Sequence, residues 1–151
     1  MASTSSAINQ NGVKVEIEAA PDRVFAALAD VAAHTDWANG PDEIRNLSES
    51  PARMGTTFEQ VGQLMGRTFV AECRVSDYEE NRRFGFSGDK PFPFQVIWEL
   101  EPAAGGTKLT MNSQIEPGGL LKVAKPVLNS TLESQMKADM LTLKAKLEAK
   151  G

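Results

Sequence analysis

The chain has 151 residues, 41% of them apolar and 24% charged, with a net charge of −4. That is one domain of ordinary globular composition, and its acidic balance argues against a general nucleic-acid or anionic-membrane surface. The single cysteine, Cys73, excludes an internal disulfide and CxxC chemistry, and no apolar run approaches transmembrane length.

Residues 1–10 are rich in Ser and Ala and have neither a basic stretch nor an apolar one. They read as a disordered tail rather than a signal peptide, leaving 11–151 as a single domain and the cytoplasm as the expected location. Val13, Val15 and Ile17 alternate with Lys14, Glu16 and Glu18, the period of a half-buried strand. Ala20-Pro21-Asp22 then opens a helix, because proline suits the first turn and Asp22 favours the positive end of the helix dipole. Val24, Phe25, Leu28 and Ala29 supply its buried side. A second short helix runs from Val31 to Asp36, Trp37 ends it, and Asn39-Gly40-Pro41-Asp42 is a turn cluster.

Strands follow. Ile44 to Glu49 reads as one, broken by Ser50-Pro51. Thr56 to Val61 and Thr68 to Val75 form a hairpin across Gly62–Gly66. Arg82 to Ser87 comes after the polar turn Asp77–Asn81. Phe94, Val96, Trp98 and Leu100 share one parity in the next strand, and Leu109, Met111, Ser113 and Ile115 in the last. Consecutive strands joined by short turns make an antiparallel meander, with one face buried.

From Leu128 the pattern changes. Leu128, Leu132, Met136, Met140, Leu143 and Leu147 recur every three or four residues, an apolar stripe on a helix. Pro126 is expected to divide a short lead-in, from Leu120, from a main helix of about 25 residues spanning roughly 37 Å. The element order is β-α-α-β-β-β-β-β-β-α, an α+β domain in which the sheet packs on the long helix.

Ala20-Pro21-Asp22-Arg23-Val24-Phe25, then Leu28-Ala29-Asp30 and Trp37, resembles the opening signature of the START-like (SRPBCC) superfamily, which includes the birch-pollen-allergen-like and polyketide cyclase/dehydrase proteins. Trp98-Glu99-Leu100-Glu101-Pro102 with Gly106-Thr107-Lys108-Leu109-Thr110 is similar to its last hairpin, and Leu143–Glu148 to its helix end. The resemblance spans Gly12 to Lys150. It implies a helix-grip fold, a curved seven-stranded sheet wrapped on the long helix, with a cavity between them. It carries no invariant catalytic set onto this chain.

Motifs for chemistry are sparse. His34 has no HExxH partner, so no metal site is expected, and no cofactor is expected either. It reads either as a surface or cap histidine or, with Asp36, as a proton-transfer pair. Asn129 and Asp139 lie within or beside the apolar stripe; Asp139 reads as a rim residue and Asn129 as a first-turn polar group, or one of them faces a cavity. Inward strand positions bring Phe69, Cys73, Phe86, Phe94, Trp98 and Met111 to one face, opposite Asn129, Leu132 and Met136 on the helix. Apolar walls with a few placed polar groups are how small-molecule sites are built, and Trp98, if buried, needs a partner for its N–H. The apolar loops Leu64-Met65 and Pro91–Phe94 read as an entrance or as parts of the core. The expected function is binding of a small hydrophobic ligand (aromatic, polyketide-like or lipid) with no nucleic-acid partner. A cyclase/dehydrase-type enzyme and a protein-interaction module are the alternatives.

Overall fold

A computed structural model describes residues 8–9, 12–38, 41–64, 66–90, 92–115 and 125–149. Two strands, β1 (Ile8–Asn9) and β2 (Val13–Ile17), precede helix α1 (Pro21–Ala29) and a 3₁₀ helix (Val31–Asp36). Strands β3 (Pro41–Arg45), β4 (Thr57–Leu64), β5 (Arg67–Glu79), β6 (Arg83–Gly88), β7 (Phe94–Ala103) and β8 (Gly106–Ile115) follow, and then helix α2 (Lys125–Ala149). Ile8–Asn9 fall inside the stretch expected to be a tail, yet pair with Gln114 and Ile115. Since β1 and β2 both pair with β8, they act as one interrupted edge strand, and the sheet is an antiparallel seven-row array in the order β1/β2-β8-β7-β6-β5-β4-β3.

Several strand limits differ from those expected. The strand expected over Ile44–Glu49 lies earlier, because Asn46 takes a left-handed φ of 55° and ends the ladder. The β4–β5 hairpin is tighter than a Gly62–Gly66 loop. Leu64 pairs with Arg67, and Gly66 supplies the positive φ of 78° that so short a turn requires. Asp77–Glu79, expected as a turn, continue β5 past a register shift between Val75 and Asp77. The reversal comes at Asn81, with φ 63°.

Alternation fixes which face is buried. In β8, Thr107, Leu109, Met111, Ser113 and Ile115 are buried and their neighbours are half-exposed. Against this face pack Val24, Phe25 and Leu28 of α1, and Met136, Met140, Leu143 and Leu147 of α2, in one core with Phe84, Trp98 and Leu100. Polar ties hold the helices to β2 and to each other. The Lys144 ammonium donates to the Glu16 carbonyl at 2.7 Å, Glu18 N–H donates to the Glu148 carboxylate at 2.9 Å, and Arg23 donates to the Leu147 carbonyl at 2.9 Å. α2 is 25 residues long, the length expected for the main helix, with Pro126 in its first turn, where a missing N–H costs nothing. The lead-in expected from Leu120 lies outside the described residues.

Candidate functional site

Between the sheet and α2 lies a cavity of about 190 Å³. An apolar cavity of about 150 Å³ takes up benzene, so this one has room for a ligand of one or two rings. The sheet contributes Phe69 and Ala71 from β5, Phe86 from β6, Phe94, Val96 and Trp98 from β7, and Met111, Ser113 and Ile115 from β8. Helix α2 supplies Leu132, Gln135, Met136 and Asp139. His34, Trp37 and Ala38 from the 3₁₀ helix and the residues after it, Phe92 from the loop before β7, and Gln60, Gly62 and Gln63 from β4 complete the lining.

Phe69, Phe86, Phe94, Trp98, Met111, Leu132 and Met136, named from the sequence, thus come together on one wall or the other. Cys73 does not join them. Its parity is inward, but it sits further along β5 than Ala71, is buried among core residues, and its Sγ–H donates to the Ala71 carbonyl at 3.6 Å. Asn129 belongs to α2, but its side chain lies outside the described residues, as do that of Leu64 and the whole of Met65. In the other apolar loop, the ring of Phe92 meets that of Phe69 edge-on at 5.8 Å.

His34 is the main departure from the surface-histidine reading. It is 2% exposed, and its Nε2 lies 2.7 Å from the Leu28 carbonyl oxygen. A carbonyl accepts only, so Nε2 carries the proton and Nδ1 keeps a lone pair. Burial lowers the imidazole from 6.5 to about 4, against a smaller raising effect of the Leu28 carbonyl and Asp30, so the ring is neutral at physiological pH. It stands beside Trp37, with ring centroids 4.9 Å apart, and edge-on to Trp98 at 5.9 Å. Asp139 is likewise 6% exposed and faces the cavity rather than the rim. Its place three residues after Met136 and four before Leu143 puts it on the stripe itself, and that spacing was the available signal. The Trp98 Nε1–H is buried with no hydrogen-bond partner among the described residues.

Sequence reasoning did not single out Gln60, Gly62, Gln63, Phe92 or Gln135 for the wall. Gln60 and Gly62 share the parity of buried Phe58, and Gln135 is three residues past Leu132, so periodicity carried a signal for these. Among the described residues no cluster of His, Cys, Asp or Glu could hold a metal ion, and no helix is long and apolar enough to cross a membrane.

The family model described as "Polyketide cyclase / dehydrase and lipid transport" matches residues 12–148, and the chain belongs to that family. No curated protein sequence matches it. Solved structures share its fold. The protein TTHA0849 from Thermus thermophilus aligns with a TM-score of 0.77 at 14% identity over 96% of this chain and 99% of that one. The ZhuI aromatase/cyclase from a Streptomyces species gives 0.76 at 15% identity over 94% of each chain. A START superfamily protein from Mycobacterium smegmatis gives 0.73 at 15% identity over 96% and 99%.

Proposed function

We propose that this protein binds a small, mostly apolar ligand in the cavity between the sheet and α2. The observation that carries the reading is a cavity walled by Phe69, Phe86, Phe94 and Trp98 from the sheet and by Leu132 and Met136 from α2. Apolar burial supplies the affinity, at roughly 25 cal/mol per Å² before the costs of association. Membership of a family described by lipid transport as well as cyclase activity is in keeping with it. A free, buried Cys73 is compatible with the cytoplasmic location expected from the sequence.

Catalysis of the cyclase/dehydrase kind is the second reading, favoured by the presence of His34 and Asp139 among the lining residues. Against it, an imidazole lowered to about 4 is a weak base at neutral pH. Turnover of a poly-β-keto substrate would decide for it.

The binding reading is tested with an environment-sensitive apolar dye, whose fluorescence should rise and saturate with the folded protein. Ala71→Trp places an indole in the cavity and should abolish that signal while unfolding stays cooperative, at a cost of about 1–3 kcal/mol from overpacking. A dye that ignores the substitution is bound at the surface, and the interaction-module reading then leads.

A further inference from the structure

We propose that Ser113 selects the ligand by holding one uncharged oxygen, a ketone or hydroxyl set between apolar parts of the molecule. The inference rests on the cavity being a ligand site and adds which group the ligand presents and where along its length.

Strand β8 turns two hydroxyl residues toward the inner face, Thr107 and Ser113, 1% and 6% exposed. The fold uses the first, since Thr107 donates to the Ala19 carbonyl at 2.7 Å. Other buried polar side chains are engaged as well. Thr56 accepts from the Arg53 N–H at 2.8 Å, His34 is bonded to the Leu28 carbonyl, and Asp139 is not free. The Ser113 hydroxyl makes no hydrogen bond among the described residues, and its residue lines the cavity. Unlike the Trp98 N–H, it is not an atom that the packing both seals off and leaves unpartnered. A buried hydroxyl without a partner is costly, and a ligand oxygen that meets it recovers what the empty site forgoes.

The neighbours of Ser113 set where that oxygen belongs. Met111 and Ile115 lie two residues to either side of it, each roughly 7 Å along the strand, and both line the cavity. Met111 packs with Met136 in the main core, and Ile115 with Leu132 in the smaller cluster. Val96 is its cross-strand partner on β7. The hydroxyl therefore stands between two apolar regions, and a ligand that fills both carries its oxygen partway along an apolar frame. A fatty acid or a terminal alcohol has its oxygen at the tip and leaves one of the two regions bare. A serine hydroxyl both donates and accepts, so a carbonyl and a hydroxyl suit it equally. It cannot offset the dehydration of a carboxylate or phosphate, and no Lys or Arg stands among the described lining residues.

The test is calorimetric titration of the full chain and of Ser113→Ala with tetralin, 1-tetralone and 1-tetralol, which share one two-ring frame and differ only at the oxygen. The substitution should weaken the ketone and the alcohol by roughly three- to tenfold and leave tetralin unchanged or slightly tighter. The infrared carbonyl stretch of bound 1-tetralone gives a second readout, one that needs no variant. On the unsubstituted protein it should lie below its position in cyclohexane, and in Ser113→Ala it should return toward that position. An equal effect of Ser113→Ala on all three compounds, no effect on the two oxygenated ones, or a stretch at the cyclohexane position would overturn the role of Ser113 and leave the container standing. Binding of none of the three overturns both.

Discussion

His34 owes its chemistry to where the chain buries it. An unfolded chain protonates this imidazole near pH 6.5, whereas the folded protein does so only near 4. Between those values the unfolded state binds more protons, so stability is full above the window and falls as the pH drops through it, by about 3 kcal/mol in all. His34→Gln keeps an N–H donor for Leu28 and cannot titrate. Urea unfolding followed from about pH 7 to about pH 4.5 should show a steeper loss for the parent than for this variant. Equal slopes would mean that the ring is solvated. Cys73 yields a second prediction at this scale. Burial pushes its thiol up to about 12, and only the thiolate is nucleophilic. Iodoacetamide should leave the native protein unmodified and alkylate it in denaturant. Comparable rates in the two states would place the thiol on an open wall. The burial of His34 was not readable from the sequence, and that of Cys73 was readable only as a face. His34 is followed by polar Thr35 and Asp36, and a 3₁₀ turn of six residues is too short to establish a period. The parity of Cys73 gives its face but not how far along the strand the cavity extends.

At the scale of elements, α2 does two jobs along its length. Met140, Leu143 and Leu147 pack into the main core, whereas Leu132 belongs to a smaller cluster with Ile115, Phe92 and Phe94 at the cavity. A truncated side chain costs most where the surroundings are close-packed and nothing can relax. Leu143→Ala should therefore cost about 2–5 kcal/mol, and Leu132→Ala less, nearer 2 kcal/mol, since it enlarges a space that already exists. Denaturant melts of both variants check the ranking, and a larger loss at Leu132 would mean that the helix start rather than its end is the packed part. The stripe was plain in the sequence because a 3.6-residue period persists over several turns. Its division between core and cavity was not, because that depends on which sheet rows lie opposite.

At the scale of the molecule, the alternating strands, the proline-led α1 and the long helix all announced an α+β grip. Their assembly around an inner face followed from which parity was apolar. Strand limits were less legible, because the chain ends or prolongs strands with devices that hydropathy does not record. Asn46 and Asn81 adopt positive φ, and a register shift lets β5 run on to Glu79. The cavity lining was legible where aromatic residues held inward parity. It was harder to read where polar residues such as Gln60 and Asp139 did, since their spacing set them on the inward face while polarity alone reads as exposure.

The interrupted edge strand has a consequence for the order of events on the ribosome. β2 emerges early, but its ladder partner is β8, and the Thr107 hydroxyl that donates to the Ala19 carbonyl at 2.7 Å arrives 88 positions later. The Arg23 bond to the Leu147 carbonyl spans 124 positions. At ribosomal speeds of about 5–20 residues per second, Val13–Ile17 waits roughly 5 to 20 s with its backbone unpaired. Lys14, Glu16 and Glu18, which alternate with its apolar side chains, keep the nascent segment soluble during that interval. Closing such a distant pair is among the slowest steps a small domain can have.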